Sequence, residues 1–192
     1  MRAPTLERFT LDALPPQPWK NGGGTTREIA AMPPGSGPAG FVWRVSVAEI
    51  ERAGPFSAFP GVDRQIVLLA GAGVRLRGGA VDHRLDRPLE PFAFVGEAPI
   101  EAELLGGASR DLNVMTRRGA ARADLQILHE AGLVGACDAL VLLAVRGPWQ
   151  VASLALAPGE GVVAREGVPA LPVEAGAAAG ALVAIRLLLG AR

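Results

Sequence analysis

Phe41-Val42-Trp43-Arg44-Val45-Ser46-Val47 sets Phe41, Trp43, Val45 and Val47 on one side of an extended chain and Arg44 and Ser46 on the other, because successive side chains of a strand point to opposite faces. Such a strand buries one face and presents a cation and a hydroxyl on the other. The same period of two recurs in short stretches bounded by glycine or proline, at about 26–31, 41–48, 65–70, 73–77, 92–95, 100–105, 111–116, 124–128, 140–145, 150–156, 161–164 and 181–189. With 25 glycines and 16 prolines in 192 residues and no collagen-like period, the chain is rich in turns. Many short strands at regular spacing predict an all-β sandwich or barrel architecture. One helical turn is expected at 47–53, where Val-Ala-Glu-Ile-Glu-Arg-Ala runs into Gly54-Pro55.

Gly71-Ala72-Gly73 joins 65–70 to 74–77 and reads as a tight antiparallel hairpin. A second block has the same character, with 139–145 followed by Arg146-Gly147-Pro148-Trp149 and then 150–156. Two hairpin-rich modules are therefore expected, 1–118 and 119–192, with the boundary near Gly119.

The hydrophobic content of 49% is ample for a core. A formal net charge of zero leaves no basic field to gather nucleic acid or anionic lipid, so recognition of a charged partner must come from a local cluster. The single cysteine, Cys137, cannot form an intramolecular disulfide, fits a reducing compartment, and is expected to pack beside Leu140 and Val141. Residues 1–14 carry Glu7, Arg8 and Asp12 where a signal peptide needs an apolar stretch. The longest apolar runs, 139–145 and 175–185, are too short to span a bilayer. These features predict a soluble cytoplasmic protein with no membrane and no nucleic-acid partner.

Rare residues mark the candidate site. Lys20 is the one lysine in a chain that otherwise uses arginine, and Asn21 and Asn113 are its only asparagines. Lysine is a compact point charge and asparagine both donates and accepts, so neither is interchangeable with arginine or alanine at a recognition site. Trp19-Lys20-Asn21-Gly22-Gly23-Gly24-Thr25-Thr26 is accordingly the first candidate segment; the alternative is a flexible entry turn. Alternation places Asp111, Asn113 and Met115 together, as it does Arg44 and Ser46, and either polar face can instead meet water. The loop 54–64 brings Phe56, Phe59 and Arg64: the rings can wall a pocket mouth while Arg64 takes a carboxylate bidentately. Its ordinary alternative is a loop pinned by core aromatics, with Arg64 paired to Asp63 or another acid.

Other chemistries lack their residues. His83 and His129 lie far apart, Asp82-His83-Arg84 reading as a polar loop or strand edge and His129-Glu130 as a strand end, so no histidine metal site and no cofactor are expected. Lys20 precedes its glycines instead of following them, and 71–76 lacks the third glycine of a dinucleotide fingerprint. Neither Ser46 nor Ser57 has a histidine nearby in sequence to serve as a base.

Four ordered blocks, Pro18-Trp19-Lys20-Asn21-Gly22-Gly23-Gly24-Thr25-Thr26-Arg27-Glu28, then Phe41-Val42-Trp43-Arg44-Val45-Ser46, then Gly54-Pro55-Phe56-Ser57-Ala58-Phe59-Pro60-Gly61-Val62-Asp63-Arg64, and finally Asp111-Leu112-Asn113-Val114-Met115-Thr116, resemble the HutD/Ves family. Beyond 118 the likeness is only to barrel character in general. The resemblance implies a tandem cupin (bicupin) fold of jelly-roll modules, commonly a homodimer, tied to histidine utilisation through formylated and formimino-glutamate intermediates. It further implies a metal-free pocket that binds N-formylglutamate or a related carboxylate and governs the pathway. Carried onto matching positions, Lys20, Asn21, Arg44, Ser46, Arg64 and Asn113 contact the ligand, and Phe56, Phe59 and Met115 supply dry walls. The rival is a metal-independent cupin isomerase, lyase or hydrolase acting on a similar acid, with Lys20 as general base. A third reading is a scaffold whose dimer surface is its function.

Overall fold

A computed structural model of the chain describes residues 4–176 and 180–190. Up to Arg117 its strands are β1 (Glu7–Thr10), β2 (Gln17–Pro18), β3 (Gly24–Met32), β4 (Trp43–Ile50), β5 (Gly54–Pro55), β6 (Val62–Gly71), β7 (Val74–Gly78), β8 (Val81–Leu85), β9 (Pro91–Val95), β10 (Glu101–Leu104) and β11 (Ser109–Arg117). Beyond it come β12 (Ala121–Leu128), β13 (Gly132–Val134), β14 (Ala139–Arg146), β15 (Trp149–Val151), β16 (Leu154–Leu156), β17 (Glu160–Ala164), β18 (Leu171–Ala175) and β19 (Ala181–Leu189). Helix is confined, among the described residues, to single turns at Leu11–Ala13 and Gly37–Gly40, and none is long and apolar enough to cross a membrane. The protein is all-β, as the alternation requires.

The chain forms two compact units. The first module spans Pro15–Ala121; the second joins the start of the chain, up to Leu14, to everything from Arg122 onward. The start of the chain lies with the second module because β1 pairs antiparallel with β17, Glu7 opposite Val163 and Thr10 opposite Glu160. Turn spacing along the sequence assigns it to the first, since a pairing across that distance leaves no local mark.

In the first module a six-stranded sheet, β2-β3-β4-β11-β6-β9, faces a four-stranded sheet, β5-β10-β7-β8. One core joins them, with Ala48, Ile50, Ile66, Leu68 and Phe94 from the larger sheet, Val74, Leu76, Leu85 and Ala102 from the smaller, and Ile100 just before β10. Each large aliphatic side chain so buried contributes roughly 1.5–3 kcal/mol. The second module sets β1-β17-β14-β19-β12 against β13-β18-β15-β16 around Leu140, Leu142, Val162 and Leu182 on one side and Trp149, Val151, Leu156, Leu171 and Val173 on the other.

The two modules share a pairing scheme that their sequences do not advertise. β6 lies between β9 and β11 as β14 lies between β17 and β19, and β7 lies between β8 and β10 as β15 lies between β16 and β18. Matching the ladders residue by residue sets Arg64, Ile66 and Leu68, opposite Met115, Asn113 and Asp111, against Leu140, Leu142 and Ala144, opposite Arg186, Ala184 and Leu182.

Three local expectations are corrected. The helical turn at 47–53 is strand through Ile50: Val47–Ile50 lie in register with β11 on one side and with β3 on the other. Two flanking strands satisfy this backbone where helix-compatible composition alone pointed elsewhere. Gly71-Ala72-Gly73 does not close a hairpin, since β6 and β7 belong to different sheets; it carries the chain across the sandwich. Gly71 (φ +93°) and Gly73 (φ +87°) pass so close to Ala108 and Leu85 that a Cβ would sit 2.4 Å and 1.9 Å from their carbonyl oxygens. Arg146-Gly147-Pro148-Trp149 makes the equivalent crossing from β14 to β15, and the strand expected at 150–156 is a tight hairpin, β15–β16, turning at Ala152 with φ +50°.

Candidate functional site

The inward face of the six-stranded sheet changes character along its strands. Toward the Ile50 end of β4 it carries Ile50, Ile66 and Leu68 of the core, with the carboxyl of Asp111 among them. Toward the other end the register aligns Ser46 with Asn113 and Ile66, and in the next row Arg44 with Met115, Arg64 and Phe94. These polar rows line a cavity of about 650 Å³.

Two connections complete the walls. Between β2 and β3 the chain turns at Gly22 (φ +66°), with Gly22 N donating to Trp19 O at 3.0 Å and Trp19 N to Gly24 O at 2.9 Å. Asn21 Oδ1 accepts from Gly23 N at 3.0 Å, and Trp19 Nε1 donates to Thr26 Oγ1 at 2.8 Å. These bonds position Lys20 and Asn21 at the cavity. After β5, Phe56 N bonds Ile100 O and Phe59 N bonds Gly96 O, each at 2.8 Å. Phe56 meets Trp19 edge-on, their centroids 6.4 Å apart.

Arg64 dominates the electrostatics. It is 5% exposed, and its guanidinium lies 4.9, 5.2 and 5.6 Å from the ring centres of Phe94, Phe56 and Phe59. Its Nη2 donates to Asn113 Oδ1 at 2.8 Å and its Nη1 makes a long contact of 3.5 Å to Ser57 O, while Nε is buried without a partner. Among the described residues neither Asp63 nor another acid pairs with it; Asp63 bonds Arg118 instead. Burial, with repulsion from Arg44 second, pulls Arg64 down to about 10, which leaves it a cation at neutral pH. Because a guanidinium has no acceptor atom, Asn113 must offer Oδ1, and its Nδ2 stays available as a donor. Arg44, by contrast, is neutralised by Glu28 at 2.7 Å.

All nine residues singled out in the sequence line this one cavity: Lys20 and Asn21 from the turn, Arg44 and Ser46 from β4, Phe56, Phe59 and Arg64 from the loop and β6, and Asn113 and Met115 from β11. Three neighbours of the candidate site are not singled out as ligand contacts by the sequence. Glu28 and Phe94 lie on strands with no rare residue to draw attention, although alternation along β9 turns Phe94 inward. Asp111 shares the face of Asn113, as alternation indicates, but nothing in its residue type sets it apart from the other acids. It is fully buried, accepts from Ser109 Oγ at 2.9 Å, and is pushed up to about 7, mainly by burial and against the Ser109 hydrogen bond. The histidines have other contacts, His83 stacking on Phe92 at 3.7 Å and His129 Nδ1 meeting Gly180 O at 3.1 Å. Among the described residues no three His, Cys, Asp or Glu side chains are grouped to hold a metal ion.

The sequence matches the HutD family over residues 12–182. It is 38% identical over 164 residues to Protein Ves of Cronobacter sakazakii, covering 84% of this chain and 88% of that one. Against an uncharacterized 21.2 kDa protein in the hutC 3′ region of Pseudomonas putida the identity is 49% over 124 residues, 63% of each chain. The structure of HutD from Pseudomonas fluorescens SBW25, described as a formate condition, superposes with a TM-score of 0.85 at 27% identity, covering 97% of this chain and all of the other.

Proposed function

The chain belongs to the HutD family, and from that premise we propose that the first module's cavity binds a small carboxylate metabolite of histidine utilisation, N-formylglutamate or a close relative, and thereby regulates the pathway. The name of the Pseudomonas putida relative, which places it beside hutC, supports the pathway. The ligand class is argued from one observation: Arg64 is a buried guanidinium without a carboxylate partner among the described residues. An isolated buried charge is held at a penalty of several kcal/mol unless something of opposite sign joins it, and an incoming carboxylate supplies that charge. Asn113 Nδ2 and Ser46 stand beside it to bond a formyl amide, Lys20 at the turn can meet a second carboxylate, and Phe56, Phe59 and Met115 keep water from weakening these bonds. Calorimetric titration of the chain with N-formylglutamate, glutamate and urocanate tests this. Micromolar or tighter binding of N-formylglutamate, with the others weaker, is expected; equal or absent binding of all three rejects the assignment.

A further inference from the structure

Resting on the reading of this cavity as an anion site, we infer that Asp111 is its proton partner: when an anion settles against Arg64, the chain takes up a proton from solvent at Asp111. The carboxyl lies on the inward face of β11, one side-chain position from Asn113, with Ala48 and Leu68 as ladder partners. Its Oδ1 is held by Ser109, whereas Oδ2 is buried with no hydrogen-bond partner. Nothing in the fold requires an acid here. The matching ladder position of the second module, opposite Ala144, is Leu182.

The groups facing Asp111 leave it isolated. On its own face the charged side chains are Arg44, Arg64 and Glu28, in the rows beyond, with Arg44 already bound to Glu28. From β9 the inward residues are Phe92 and Phe94, and the facing sheet brings Val74, Leu76, Leu85 and Ala102, with Ile100 just before β10. His83, stacked on Phe92, is the titratable group of that sheet nearest its inner face. Burial already raises the Asp111 carboxyl to about 7, so at neutral pH about half the molecules carry the proton. A second negative charge arriving on the same face in a medium of low polarity disfavours the ionised acid further. By linkage the effect is reciprocal: raising the pH ionises Asp111 and weakens the anion.

The test is calorimetry at pH 7 with N-formylglutamate and with sodium formate, each in imidazole and in Tris, whose different ionisation enthalpies report protons exchanged on binding. The wild-type chain is expected to take up as much as about half a proton per anion and to bind about tenfold more weakly at pH 8.5 than at pH 5.5. D111N, and D111L, which copies the second module, are expected to bind with no proton uptake and a flat pH profile. Wild-type binding without proton uptake overturns the inference and spares the anion site, and undiminished uptake in D111N overturns it by assigning the proton to another group. Absence of binding by either probe rejects the anion site and the inference together. Should both variants fail to fold, carbon-13 spectra of the wild-type side-chain carboxyls decide: one resonance must titrate near pH 7 and shift upward with formate, and its absence is fatal.

Discussion

A guanidinium enclosed by three phenyl rings and one amide is a liability to a fold and an asset to a binding site. Removing Arg64 alone strands Asn113 Oδ1, so the informative change is the pair Arg64→Leu with Asn113→Ala, which reproduces Leu140 and Ala184 at the matching positions of the second module. This double variant is expected to be more stable by about 1–3 kcal/mol in urea denaturation, and to lose more than about 100-fold in affinity for N-formylglutamate. Loss of stability with affinity intact contradicts the role given to Arg64. Asp111 makes the second prediction at this scale. Its carboxyl titrates near 3.8 when unperturbed and near 7 in the native chain, so between those values the folded state holds the proton more tightly. Its effect is therefore a stability that is highest below about pH 4, declines as pH rises toward 7 and is level above, a difference of up to about 4 kcal/mol. Denaturation midpoints across pH 4–8 should show this slope in the wild-type chain and lose that component in D111L; an unchanged slope in D111L assigns it elsewhere.

Among the strands, alternation is a dependable guide wherever one face is buried, and β4 and β11 are legible for that reason. Val47–Ile50 mislead because Ala, Glu and Ile suit a helix well enough, and only their partners in β3 and β11, remote in sequence, decide the matter. Gly71 and Gly73 are recognisable as a turn, but a tight turn between two strands looks the same in sequence whether those strands pair or part company into opposite sheets. What their surroundings add is the reason glycine is required. Gly73→Ala must place a methyl 1.9 Å from the Leu85 carbonyl oxygen at φ +87°, so a loss of roughly 2–4 kcal/mol is expected. Gly107→Ala, at φ +86° with nothing within 4 Å, is expected to lose about 1 kcal/mol; equal losses in urea melts would refute the close-approach argument. The candidate site is legible through scarcity, because Lys20, Asn21 and Asn113 break the chain's habits. Phe94 and Glu28 do not, and only the ladders bring them to Arg64 and Arg44.

At the level of the whole molecule, a tandem arrangement is legible from turn spacing, whereas the equivalence of the two modules is not, since it resides in strand pairing. The same equivalence predicts the stoichiometry of binding. Where the first module has Arg64, Asn113 and Asp111, the second has Leu140, Ala184 and Leu182, all buried in one apolar core. A single anion per chain is expected by calorimetry, and two equivalent sites would show that this core admits ligand. The pairing of β1 with β17 carries a further consequence, for manufacture in the cell. β1 has its berth on a strand translated about 150 residues later, so it must idle, unengaged, while the intervening chain emerges. Until it docks, β17 shows a bare margin on which a neighbouring nascent copy can anneal; removing β1 makes that hazard permanent, and such a product should elute as aggregates.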